Sequence, residues 1–289
     1  MGVHVVTTVF SSSYERNKEV EFAQMQNSKN QIIDCIHVIS EDPSVGSWLS
    51  HPKIHIEYVR SRPTFRTLVD YSNTIGNNKI VCIANSDIYF NHTLSQVRFD
   101  DHELAYCLTR WIPNYSPNVN EYSFDPQHGA YATNDSWILK TPIFGLCNIS
   151  FYLGLPGCDS RFVNELYRGK KKIINPSKII SSFHVHNSGA RSYSGTDRLK
   201  GYYSGVISTD SLEYNESNIR HGYSDGDDTG IWFQYFEWIK GISHEEFWSR
   251  EDLPLSVLYM YPDHTYSKTR RQIPHNPDNI RNIWRRKYS

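Results

Sequence analysis

The chain has 289 residues and a formal net charge of −1, with 30 Lys and Arg against 31 Asp and Glu. That balance excludes a global attraction to nucleic acid or anionic lipid, and the length suffices for a large core that needs no disulfide or metal staple. Five scattered cysteines, Cys35, Cys82, Cys107, Cys147 and Cys158, contain no CxxC pair, which removes a zinc ribbon or a redox motif.

The first third alternates strand and helix patterns. Residues 3–10 are apolar and β-branched and predict a buried strand, after which Ser11, Ser12 and Ser13 offer capping hydroxyls to a helix over 15–27. Residues 32–39 predict a second strand and residues 53–59 a shorter third. Thr64 then caps a helix predicted through Ile75, closed by Gly76, Asn77 and Asn78. Residues 79–84 form the fourth strand, ending in Asn85-Ser86-Asp87. Such alternation predicts a mostly parallel sheet with helices on both faces. Beyond residue 100 the pattern loosens. Strands are expected over 103–111, 136–140, 171–174 and 179–185, a helix over 160–167, and a buried aromatic helix over 231–239. No run approaches the 18 apolar residues of a transmembrane segment, and the first residues lack signal-peptide features, so the expected setting is cytoplasmic. In that setting the sequons at Asn91, Asn134, Asn148 and Asn215 read as chance.

The most informative stretch is IANSDIYF, residues 83–90. Ligands of open α/β sheets bind beyond the carboxyl ends of the strands, and Asp87 follows such a strand directly. A carboxylate there suits a divalent cation that bridges phosphate oxygens, although Asn85 and Asp87 are equally the residues of a simple turn. A second stretch, Ser182 to Ser188, places His184 and His186 on one side of a strand. Imidazoles suit Mn²⁺ or Zn²⁺, and the absence of HExxH argues against a hydrolytic zinc site.

Strand-helix-strand order followed by a hydrophobic strand ending in Asn-Ser-Asp resembles the GT-A superfamily of nucleotide-diphospho-sugar glycosyltransferases, in particular its small viral and bacterial members with an NSDI-type motif. The hallmark of that superfamily is an Asp-x-Asp motif that binds Mn²⁺ or Mg²⁺ and the sugar nucleotide. Asn85 stands here in place of the first Asp. The resemblance implies a GT-A-like (Rossmann-like) α/β domain over residues 1–190, with a C-terminal extension over 191–289 that packs on it and shapes the acceptor site. It implies a hexosyltransferase-type enzyme of viral or bacterial origin. The donor is a nucleoside diphosphate sugar of UDP or GDP type and the acceptor a glycan hydroxyl.

On the same basis Asp87 binds Mn²⁺ or Mg²⁺ with His186, or else His184, completing the shell, and Asn85 and Ser86 assist at the sugar nucleotide. Thr7, Thr8 and Val9 meet the base and ribose, while Arg60, Arg66 and Arg191 meet phosphate, Arg60 and Arg66 having the plain alternative of solvated charges beside a helix. Trp111 stacks on a sugar or simply packs in the core. Asp159, at the head of the helix over 160–167, or Asp135 serves as base if the enzyme inverts, and each has a plain alternative as helix cap or turn residue. Two other functions remain open. A sugar-phosphate nucleotidyltransferase would carry a Gly-rich loop after strand one, where this chain has Ser11-Ser12-Ser13-Tyr14-Glu15-Arg16. A non-catalytic glycan-binding module would use the 14% aromatic content, with 20 Tyr and 7 Trp.

Overall fold

The computed structural model describes residues 2–113, 122–124, 134–186, 188 and 197–224. In chain order the elements are β1 (Val3–Thr8), α1 (Tyr14–Lys29), β2 (Ile33–Ser40), β3 (Ile54–Tyr58), α2 (Phe65–Ser72), β4 (Ile80–Ala84), β5 (Ile88–Phe90), β6 (Leu104–Pro113), β7 (Tyr122–Phe124), β8 (Asn134–Lys140), α3 (Cys158–Arg168), β9 (Lys172–Ile174), β10 (Ser182–His184), β11 (Gly201–Val206) and β12 (Ile219–Ser224). Strands β3, β2, β1 and β4 are mutually parallel, and β8 then β6 continue the sheet antiparallel. Beyond them β10 lies parallel to β6 and antiparallel to β5. The fold is therefore α/β with a mostly parallel central sheet, as expected.

Both faces of the sheet are covered, which is why its strands read as nearly continuous apolar runs. Val81 and Ile83 of β4 point into one core with Phe65 and Leu68 of α2, Trp137 of β8 and Phe162 of α3. Ile80, Cys82 and Ala84 point into the other, with Val20 of α1, Ile36, Val38 and Ile138. Phe162 stacks on Phe65 at 4.3 Å between ring centroids, and Trp137 meets both rings edge-on. Arrangements of this kind add to the area they bury.

Several elements differ from their sequence patterns. Helix α2 has the expected Thr64 cap, in a full capping box with Thr67, but it ends at Ser72 rather than Ile75. The Thr74 and Ile75 amides bond only three residues back, to the Tyr71 and Ser72 carbonyls, so the chain tightens into a turn before Gly76 at φ 135 and Asn78 at φ 57 carry it away. The strand expected over 179–185 shrinks to Ser182–His184, because the Pro176 carbonyl takes both the Ile179 and Ile180 amides and the Ser181 amide goes to Thr93. Helix α3 begins at Cys158, two residues early. Its cap is Gly157 at φ 80, and a Cβ there would meet the Tyr203 hydroxyl of β11 at 2.2 Å. Strands β11 and β12 form a hairpin-like pair in a stretch whose sequence carries no strand pattern, and Val206 and Ile219 join the core of α2 and α3. The aromatic stretch 231–239 lies outside the described residues. Among the described residues no helix is long and apolar enough to cross a membrane.

Candidate active site

The order β3-β2-β1-β4 makes the carboxyl ends of β1 and β4 the place where strand order reverses, the usual crevice of such sheets. The Thr7 hydroxyl ties the two strands there, donating to the Ala84 carbonyl at 2.8 Å. Two polar clusters follow immediately.

The first is built on Asp87, which is only 3% exposed. Its Oδ2 accepts from an Arg16 guanidinium nitrogen and from His184 Nε2 at 3.0 Å, and His186 Nδ1 lies 3.7 Å away. The two histidines reach it because β10 pairs with β5, His184 opposite Ile88, and the Val185 amide donates to the Asp87 carbonyl at 2.9 Å. Their rings stack 5.4 Å apart, on one side of the strand end as alternation requires. Burial by itself would raise the Asp87 carboxyl. The His184 and His186 imidazoles and the Arg16 guanidinium outweigh burial and hold it well below the usual carboxylate range.

The backbone around Asp87 hangs on α1. Gln24 donates to the Ser86 carbonyl at 2.6 Å, and Asn27 donates to the Ile88 carbonyl at 2.9 Å while accepting from the Phe90 amide at 3.0 Å. Asn30 donates to the carbonyls of Phe90 and Asn91 at 3.1 and 3.0 Å. Arg16 is itself steadied by Glu19 at 2.9 Å, and Glu19 accepts from the Ser188 amide at 2.6 Å. Glu19, Gln24 and Asn27 are buried yet partnered, as buried polar groups must be. Within the Asp87 cluster two atoms break that rule: Asp87 Oδ1 and His186 Nε2 are buried with no hydrogen-bond partner among the described residues. Asp87, His184 and His186 each bring one ligand atom within 4.8 Å of the others. One carboxylate and two imidazoles, with ligand atoms left unpaired, fit a divalent transition-metal ion better than Mg²⁺.

The second cluster is built on Asp135 of β8, 4% exposed. Asn85 donates to its Oδ1 at 2.7 Å and Arg110 of β6 to its Oδ2 at 2.8 Å, while the Asn85 amide donates to its carbonyl at 3.0 Å. Asp159 lies at the second residue of α3. Gly157, not Asp159, occupies the cap position, and no side chain caps the helix. Burial first, and then the Asp135 charge, push the Asp159 carboxyl up to about 7. A carboxyl at that value exchanges protons near neutrality, the property a general base needs.

The other expected residues fall into place less tightly. Thr7 and Val9 are buried, and the Val9 carbonyl accepts from the Ser40 hydroxyl, so both shape the β1 edge; Thr8 is half-exposed there. Ser86 is half-exposed beside Asp87. Arg60 is exposed just past β3, and Arg66 donates to the Leu146 and Cys147 carbonyls, bonds that join neither residue to the Asp87 cluster. Trp111 gives its indole N–H to the Ser177 carbonyl at 2.8 Å and stands on β6 opposite Phe183. Arg191 lies outside the described residues. Arg16, Glu19 and Arg110 are the members that sequence reasoning did not single out. A signal existed for Arg110, a charge inside an otherwise apolar strand, and for Arg16 and Glu19, an i,i+3 ion pair on a helix with little apolar face.

The sequence matches no protein-family model and no curated protein. Solved structures with a similar fold exist. A mannosyltransferase from Pyrobaculum calidifontis, in complex with GDP-Man and Mn²⁺, matches at 11% identity and a TM-score of 0.45, over 64% of this chain and 57% of that one. TarS of S. aureus, residues 1–349 in complex with UDP-GlcNAc, matches at 14% identity and a TM-score of 0.46, over 68% of this chain and 63% of that one. A glucose-1-phosphate thymidylyltransferase from Bacillus anthracis matches at 12% identity and a TM-score of 0.38, over 63% of this chain and 89% of that one. This chain thus spans less than two thirds of the mannosyltransferase and of the TarS segment. Each likeness is loose, and none bears on what this chain binds.

Proposed function

We propose that this chain is a metal-dependent glycosyltransferase, hexosyltransferase in type, that moves a sugar from a UDP- or GDP-type donor to a hydroxyl of a glycan acceptor. The observation that carries the reading is the pair of unpartnered buried atoms, Asp87 Oδ1 and His186 Nε2, in a carboxylate–imidazole cluster at the strand-order reversal. Asp87, His184 and His186 would hold Mn²⁺, or Mg²⁺ less well, and the ion when bound would offset diphosphate charge as the leaving group departs.

The chain's own groups divide the remaining work. Asp87 stays ionised at every physiological pH, because three cationic or hydrogen-bonding neighbours outweigh its burial. Arg16, which now donates to Asp87, carries a guanidinium fork suited to diphosphate oxygens once the carboxylate has another partner. Asn85 links the Asp87 loop to Asp135, so the donor and acceptor sides of the crevice are one bonded unit. Asp159, with its carboxyl near 7, would take the proton of the incoming hydroxyl in an inverting reaction. Asp135 is already committed to Asn85 and Arg110, and so suits positioning better than proton transfer.

Calorimetric titration with UDP and GDP, with and without Mn²⁺, tests the reading. Wild type should bind one of them in a metal-dependent way, and Asp87→Asn should lose that dependence. Nucleotide binding indifferent to metal in both proteins would sink the proposal. Release of pyrophosphate from a nucleoside triphosphate and a sugar phosphate would assign a nucleotidyltransferase instead.

A further inference from the structure

The end of the sheet opposite Asp87 carries a second group of ligand-type side chains. His4, near the start of β1, lies in register with Cys35 of β2, and His37, two residues on, faces the same side. His4 Nδ1 is 3.2 Å from His37 Nε2, and Cys35 Sγ is 3.8 Å from His37 Nδ1. The His4 and His37 rings stack at 5.4 Å. One donor atom from each of the three residues lies within 4.8 Å of the others. His37 is buried, while His4 and Cys35 are half-exposed, so an ion has a way in.

His37 also shows the support that metal-binding imidazoles have. Its Nδ1 lies 3.0 Å from the Tyr71 hydroxyl of α2, a buried contact that fixes the ring and leaves Nε2 directed at His4. Zinc bonds of about 2.0 Å to nitrogen and about 2.3 Å to sulfur put the ligand atoms of a tetrahedral site roughly 3.3 to 3.6 Å apart. The His4–His37 separation already has that size. We propose that His4, Cys35 and His37 form a separate metal site for a borderline-soft cation such as Zn²⁺, with water in the fourth position. Two imidazoles and a thiolate select such an ion over Mg²⁺ or Ca²⁺. Binding would release the Cys35 thiol proton to solvent and leave a thiolate–metal bond. The site would clamp β1 to β2 at the end of the sheet remote from Asp87, and so act on stability rather than on turnover.

Cobalt reports thiolate ligation directly, through a ligand-to-metal charge-transfer band that a site of carboxylate and imidazole lacks. Full-length protein, stripped of metal and titrated with Co²⁺, should show the band in wild type, in Asp87→Asn and in Cys147→Ser, where the exposed thiol is removed. The band should vanish in Cys35→Ser and be displaced by Zn²⁺ in wild type. Zn²⁺ should also raise the Tm of wild type more than that of Cys35→Ser, since an ion that binds only the folded chain stabilises it. His4→Gln, at a half-exposed position, should weaken Co²⁺ binding at this site about tenfold or more. Absence of the band in wild type, or an undiminished band in Cys35→Ser, overturns the proposal. Should Cys35→Ser not fold, unchanged Co²⁺ affinity in His4→Gln overturns it equally.

Discussion

Asp87, which is buried, and Asp159, which is half-exposed beside Asp135, are both carboxylates, yet their surroundings drive them apart. Asp87 has an arginine and two imidazoles around it, and is held ionised against its burial. Asp159 has burial and the neighbouring Asp135 charge, which outweigh the backbone amides at the head of α3 and the Arg110 charge, and rises to about 7. Neither identity nor local sequence separates the two residues. The difference comes from which charges the fold brings to each, and it separates a permanent anion suited to a cation from a group suited to proton exchange.

The comparison breaks most visibly at Asp87. Asp87→Asn should lower sugar-transfer kcat/KM by about 10³-fold, the rate equivalent of several kcal/mol of charge stabilisation. Circular dichroism would check that the fold survives with Arg16 and the two histidines left facing a neutral amide. Next comes Asp159→Asn, expected to lower kcat by about 10²-fold or more while metal-dependent nucleotide affinity stays unchanged. An unaltered kcat would remove Asp159 from the chemistry and favour a retaining reaction.

With Asp159 as the proposed base, active when deprotonated, the wild-type rate should climb as pH rises through about 7. Asp135→Asn removes the charge that helps hold that proton, so the acid limb of the profile should move to lower pH. The same value makes Asp159 a burden on stability. Its folded carboxyl sits near 7 against an ordinary 3.8, so the folded state is disfavoured progressively as pH rises from about 4 to about 7. Asp159→Asn should therefore raise Tm by a few degrees at pH 8 and by less at pH 5, read in thermal melts. An equal gain at both pH values would show that the carboxyl is not raised.

The parallel half of the sheet was legible because β1, β2 and β4 bury residues on both faces, because the edge strand β3 alternates, and because Thr64 announces α2. The place of Asp87 followed from the end of β4, and the shared side of His184 and His186 from strand alternation. The meeting of Arg16 with Asp87 was not legible, since it spans 71 positions and the local i,i+3 pair with Glu19 names no such partner. Helix α1 was readable as a helix but not as a clamp, because the groups it buries against the Asp87 loop are polar: Gln24 and Asn27 are fully buried. The role of Asn85 also depended on a distant partner, its bond going to Asp135. Strands β11 and β12 escaped notice because Gly, Ser and Tyr carry their pairing without an alternating apolar pattern.

That clamp has a further consequence. The loop bearing Asp87 is anchored by carboxamides, Gln24, Asn27 and Asn30, none of which titrates or attracts counterions. Salt and acidity can therefore alter what the loop carries without unseating the loop itself, even where Arg16 exchanges one partner for another.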